Sequence, residues 1–204
     1  MSGWDFNNDS NDKKIEFTKF PEGVTKIRLV DKEPHMRWTH WLAKEKRSVN
    51  CPGKGCPICE IRRQQKANKE PYTIGMSRRL AIQIINRNTG KLEIMEQGIT
   101  FFEELRDLRA MLAEKGEDIY DYDISVRRRG TGQTDTSYRL DPDEKYELTD
   151  ADKKLIENAI DLKEYFKPHE PEKILRVLNG EEFDKVMYDD NDDNDEIEEE
   201  IVLK

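Results

Sequence analysis

An α+β fold in which strands predominate is what this sequence predicts, and three observations carry that expectation. Short apolar runs rich in β-branched residues recur between turn signals. The clearest helical spacing in the first two thirds of the chain falls between the fourth and fifth strand patterns, and further helical patterns gather after Pro142. With 204 residues, 35% hydrophobic and 39% charged, the chain is lean in core-forming side chains and suits one principal domain of roughly 120–150 residues.

Taken in order, residues 1–16 are polar and Asn/Asp-rich, which predicts a flexible arm with order beginning near Phe17. FTKFPEGVTKIRLVDK reads as a turn at Pro21-Glu22-Gly23 followed by a strand, and MRWTHWL reads as a second strand. A helix is expected from about Ile58 to Asn68. Tyr72–Ile85 and Lys91–Met95 flank a turn at Thr89-Gly90 and form a hairpin. ITFFEELRDLRAMLAEKG places apolar residues at 101, 105, 108 and 112, with Thr100 and Glu103 spaced as a capping box and a terminal glycine stop. DYDISVRRRGTGQTDTSYRLDP supplies the last hairpin, with a polar loop at Gly130–Asp135. Five strands with a helix between the fourth and fifth is the element order expected of an OB-fold, a small five-stranded Greek-key barrel, and the order by itself fits other small barrels too. After Pro142, LTDADKKLIENAI and PEKILRVLNGEEF read as two accessory helices.

Charge is unevenly spread. The net charge is −9, yet Asp189–Lys204 alone carries nine acids against one lysine, while Arg37–Arg139 counts 20 basic residues against 14 acidic. A basic body with an acidic tail is a pattern of nucleic-acid binders, although a solvated terminus without a role has the same composition. No run of about 18 apolar residues exists, and the N-terminus lacks a basic-then-apolar order. Neither membrane insertion nor secretion is therefore expected, and a cytoplasmic location is.

All three cysteines lie within nine positions, too clustered and odd in number for a disulfide framework. His40, Cys51, Cys56 and Cys59 offer one imidazole and three thiolates, a donor set that suits one structural zinc ion. The glycines of Cys51-Pro-Gly-Lys-Gly-Cys56 allow a tight wrap. His35 lies on the same segment, but strand parity turns it to the face opposite His40. His169 is distant in sequence and expected to be exposed. A zinc deaminase would need a His-x-Glu pair and an open coordination position. Neither His35 nor His40 is followed by that glutamate, and four protein ligands close the site. No phosphate-cradling glycine loop and no Ser/His/Asp arrangement is present, so no catalytic residues are assigned.

Basic and aromatic side chains interleave through the middle of the chain: Arg37, Trp38 and Trp41 before the cysteines; Arg62 and Arg63 after them; then Tyr72, Arg78 and Arg79; and Arg127, Arg128, Arg129, Tyr138 and Arg139 in the last hairpin. Cations that track phosphates beside rings that stack on unpaired bases bind single strands without strong sequence preference. Against this stands the core reading, since any one ring in a chain with 8% aromatics is commonly buried. A zinc-containing protein–protein adaptor that modulates a polymerase is the alternative function, with a zinc-dependent nucleobase deaminase a distant third.

The succession PEGVTKIRLVD, His40-Trp41-Leu42, CPGKGCPIC, the hairpin about Asn88-Thr89-Gly90, FFEELRDL and DYDISVRRRG resembles the bacteriophage single-stranded DNA-binding proteins, including the T-even helix-destabilising type. DLKEYFKPHEPEKILRVL and the acid-rich terminus are similar to the C-terminal region of that family, so the resemblance spans about residues 17–200. It implies an OB-fold core, structural zinc on His40, Cys51, Cys56 and Cys59, and cooperative coating of single strands in replication, recombination and repair. It also implies a tail that contacts replication and recombination proteins. Two departures are visible: the N-terminus is neutral to acidic where the T-even protein has a basic self-association arm, and the ligand spacings are shorter. The expected organisation is an arm at 1–16, a zinc-containing core at 17–142, a helical extension at 143–188 and an acidic tail at 189–204.

Overall fold

In the computed structural model of the chain, residues 15–130, 132 and 135–188 are described. The expected acidic tail, most of the expected arm, and Thr131, Gln133 and Thr134 of the last hairpin loop lie outside them. In chain order the elements are β1 (Glu16–Phe17), β2 (Gly23–Leu29), β3 (His35–Leu42), β4 (Arg47–Asn50), α1 (Pro57–Asn68), β5 (Gly75–Asn86), β6 (Lys91–Gln97), α2 (Ile99–Glu114), a 3-10 turn (Ile119–Asp121), β7 (Tyr122–Arg129), β8 (Ser137–Lys145), α3 (Asp150–Ile156), α4 (Leu162–Tyr165), α5 (Pro171–Leu178) and α6 (Phe183–Tyr188). The fold is mixed α+β with strands predominant. Among the described residues, no helix is long and apolar enough to cross a membrane.

These elements divide into two compact units, one of residues 1–36 and 79–165, the other of 37–78 and 166–204. Residues 37–78, from within the expected core, thus group with residues after 165, while 143–165 of the expected helical extension group with the first unit.

In the first unit the strands run in the order β1-β6-β5-β2-β7-β8. This path is open, ending on β1 and β8, and does not close into the five-stranded barrel expected from the element order. The two-residue β1 adds to β6 in parallel register, Glu16 opposite Glu93, while the other neighbours are antiparallel. Leu80–Asn86 is buried at every position, as a strand covered on both faces must be. α2 covers the sheet with Phe101, Phe102, Leu105, Leu108 and Leu112, against Ile27, Leu29, Ile82, Ile84, Ile124 and Val126. Each such side chain stabilises the fold by roughly 1.5–3 kcal/mol. Helical apolar spacing predicted this face correctly. The expected capping box did not form: Gly98 is the N-cap of α2 and no side chain caps it, so Thr100 already lies inside the first turn. The reciprocal capping box occurs instead on α3, between Thr149 and Asp152.

A buried polar network holds the far end of this sheet. Arg28 of β2 is fully buried; its Nε donates to Asp123 at 2.7 Å, and its two terminal nitrogens donate to the carbonyls of Tyr120 and Tyr146, each at 2.6 Å. Arg87 bridges the same Asp123 at 2.9 Å to Asp152 at 2.5 Å, which joins the cap of α3 to the strands. Every guanidinium nitrogen of Arg28 has an acceptor, as burial of that charge requires.

The second unit is built from β3, β4, α1, α5 and α6. β3 and β4 form a hairpin with Thr39 opposite Asn50 and Leu42 opposite Arg47. Its core joins Leu42, Val49, Cys56 and Ile58 to Ile174, Val177, Phe183 and Val186. The amphipathic spacing of PEKILRVL therefore seals the cysteine-bearing segment.

Candidate metal centre and nucleic-acid interface

Local chemistry shapes the cysteine loop. Gly53 and Gly55 adopt φ of 75° and 80°, in the left-handed region that side chains with a Cβ avoid, and the chain turns back on itself between Cys51 and Cys56. Cys56 is the N-cap of α1 with Pro57 at its first position, so Cys59 emerges from the first helical turn.

The four expected ligands converge. The ligand atoms of His40, Cys51, Cys56 and Cys59 all lie within 4.8 Å of one another, while His35 takes no part in the cluster. Sγ of Cys51 is 3.5 Å from that of Cys59, and Nε2 of His40 is 3.5 Å from the sulfurs of Cys56 and Cys59. A tetrahedral ion with bonds of about 2.3 Å to sulfur and about 2.0 Å to nitrogen requires edges of about 3.5–3.8 Å. The donor set fits a metal ion.

Electrostatics set what a cation bound there would have to offset. Burial, together with the neighbouring thiols, pushes the Cys51 thiol up to about 12, and burial likewise raises that of Cys59. Thiolates gathered this closely need a cation among them. Burial lowers the pKa of His40, which favours the neutral imidazole that a metal binds. Its Nδ1 is buried without a well-aligned hydrogen-bond acceptor, although the Gly75 backbone is near enough to offset part of the burial effect.

Asn50, the residue before Cys51, anchors the loop. Its amide donates to Nδ1 of His169 at 2.8 Å, its carbonyl accepts from the His169 amide at 3.2 Å, and its side chain donates to the carbonyls of Phe166 and Lys167 at 3.3 Å. Its Oδ1 accepts from Arg37 at 3.0 Å, and the Arg37 guanidinium lies 3.5 Å from the Phe166 ring centroid. His169 is therefore half-buried, correcting the expectation of exposure. No local motif signals this partnership, because its members are more than a hundred residues apart.

The expected nucleic-acid residues fall in both units. In the second, Trp38, Trp41 and Tyr72 are 43%, 49% and 51% exposed. Guanidinium groups attend two of these rings: Arg78 lies 5.9 Å from the Trp38 centroid and Arg62 lies 3.9 Å from that of Tyr72, while Arg62 also donates to the Ile74 carbonyl. Arg63 is exposed and pairs with Glu60 one turn back. Arg37, by contrast, is committed to Asn50 and Phe166.

In the first unit, Arg127 stands directly opposite Arg139 on paired strands, and Arg129 lies two residues along on the same face. Like charges so placed repel. Among the described residues, Arg127 and Arg129 have no acidic partner, while Arg139 meets Asp141 at 3.1 Å and Arg79 meets Glu96 at 3.8 Å. Arg128 points to the other face and donates to the Phe20 carbonyl at 2.6 Å. Tyr138 packs edge-on against Phe20 and Phe101, with centroids 5.8 and 5.3 Å away, so it behaves largely as a core ring.

No family model matches the chain. Over 148 residues, covering 63% of this chain, the sequence is 29% identical to a protein of Escherichia phage T5 described as a probable ssDNA-binding protein. The chain spans 55% of that relative's length, and the match makes it similar to a phage protein of that description.

Proposed function

We propose that this chain binds single-stranded DNA without strong sequence preference, coating and protecting exposed strands during phage DNA replication, recombination and repair. The exposure of Trp38, Trp41 and Tyr72 in one small unit, two of them beside guanidinium groups, carries this reading. Rings in water lose the stabilisation of burial, and stacking on an unpaired base recovers about 1–3 kcal/mol per base. The description of the phage T5 relative supports the same conclusion.

Zinc is the ion we assign to His40, Cys51, Cys56 and Cys59, because three thiolates and one imidazole closing a tetrahedron are its preferred structural set. Bound there, it supplies cross-linking and charge compensation, and the protein's own residues do the rest. Its role is structural, and the protein is not an enzyme. The likeness to the T-even helix-destabilising type, the OB-like element order with α2 between β6 and β7, cooperative self-association on DNA, and recruitment of replication and recombination proteins by the acidic tail belong to the same proposal.

Titration of tryptophan fluorescence with oligothymidylate, with duplex as control, tests it. Single strands quench the signal, and the log–log salt dependence has a slope of about −0.7 for each phosphate neutralised. A protein that shows neither quenching nor salt-dependent binding at low ionic strength is an adaptor for other proteins instead.

A further inference from the structure

Strand parity separates the two exposed indoles. His40 belongs to the ligand cluster, so Trp41, the next residue, projects from the opposite face of β3, while Trp38 shares the parity of His40. The neighbours of Trp41 are unusual. On one side it stands opposite Ser48 of β4. On the other, β3 pairs with β5, the Thr39 hydroxyl reaches the Ser77 carbonyl, and the nearest atom to a Cβ built on Gly75 is the Cβ of Trp41, at 3.9 Å. The indole is thus flanked by two of the smallest residues.

Gly75 does not use the left-handed φ that glycines elsewhere in the chain adopt, so its backbone does not demand glycine. Nor does the proximity of its backbone to His40, since any residue supplies the same groups. What glycine provides there is the lack of a side chain. A strand glycine without a backbone requirement of its own is one way a fold leaves room for a ligand to approach closely. The turn between β3 and β4 carries Lys44 and Lys46, both exposed; Lys44 also lines a shallow pocket with Glu181, Glu182 and Asp184.

We propose that Trp41, Gly75 and Ser48 form an open stacking slot for one unpaired base on the face of β3 turned away from the cysteines, with Lys44 and Lys46 holding the adjoining phosphates. This rests on the single-stranded DNA reading above. The slot admits a base only where no complementary strand covers it, so it favours single strands by shape rather than by sequence.

The test uses the full-length, metal-loaded protein and an oligothymidylate of about 16 nucleotides. Gly75→Leu fills the slot and lowers affinity about tenfold or more, with metal content and Tm kept; Gly75→Ala, which makes only ordinary contact, gives an intermediate loss. Trp41→Ala lowers affinity similarly, and Lys44→Ala with Lys46→Ala reduces the salt slope by about 0.7 each. Wild-type affinity in Gly75→Leu, with Trp41→Ala impaired, overturns the slot and leaves single-strand binding standing. Loss of metal in both Gly75 variants overturns it too, because Gly75 then serves His40. If the wild-type protein binds no oligonucleotide, the parent reading fails and the slot with it.

Discussion

The amide of Cys51 donates to the carbonyl of Trp38 at 2.8 Å, so a candidate metal ligand and an exposed indole are fastened across the same strand pair. Disturbing the ligands therefore disturbs the ring.

Replacing Cys56 with serine, or stripping the ion with a chelator, removes the cross-link that closes the 51–59 loop. Structural zinc contributes on the order of 10 kcal/mol to small zinc domains. Calorimetry of the variant should show the second unit melting early while the first, with its own core, retains a separate transition. Metal content should fall in step, and DNA affinity should drop as a consequence. A single unchanged transition would contradict a stabilising ion.

Arg28→Met leaves Asp123 with Arg87 alone and orphans the carbonyls of Tyr120 and Tyr146. Breaking a buried pair on one side costs about 3–5 kcal/mol. Urea denaturation should record a loss of that size, and DNA affinity in the folded variant should stay close to wild type.

Arg127 and Arg139 repel one another across β7 and β8, and an anion lying over that face would relieve the repulsion. Arg127→Gln should leave Tm unchanged or slightly raised, by the equivalent of roughly 0.2–1 kcal/mol. It should also weaken oligothymidylate binding and flatten the salt slope by about 0.7. A stability gain with undiminished binding would remove this face from the interface.

Burial holds the His169 pKa below its ordinary 6.5. On acidification the unfolded chain takes up this proton first, so stability falls as the pH drops below about 6.5 and levels off below the folded-state value. His169→Asn cannot titrate and keeps an acceptor for the Asn50 amide. Its Tm should change less than that of wild type between about pH 7.5 and about pH 5.5. His40 titrates in both proteins and cancels from the comparison.

What sequence reasoning could read was local. The 101, 105, 108, 112 spacing marked the buried face of α2 because helical period is written in neighbouring residues, and parity distinguished His40 from His35 for the same reason. The open sheet was not readable: element order is shared by closed and open arrangements, and only the pairing path, which leaves β1 and β8 at its two ends, tells them apart. Gly98 displaced Thr100 as N-cap because β6 continues to Gln97, which sets where the helix can begin. The partnership of Asn50 with His169, and of Arg28 with Tyr146, joins residues about 120 positions apart, a distance at which composition and periodicity carry no signal. The small residues around Trp41 were in plain view, yet their meaning depended on knowing which strands lie beside it.

The second unit is assembled from two pieces of chain, with most of the first unit encoded between them. During synthesis, Leu42, Val49 and Ile58 leave the ribosome long before Ile174, Val177 and Phe183, the residues that cover them. The hairpin and the cysteine loop must therefore wait, half-covered, until α5 and α6 arrive. Order of manufacture thus makes the unit that holds the cysteines mature only after most of the first unit has been made, and a nascent chain interrupted before Phe166 would carry its cysteines without the helices that enclose them.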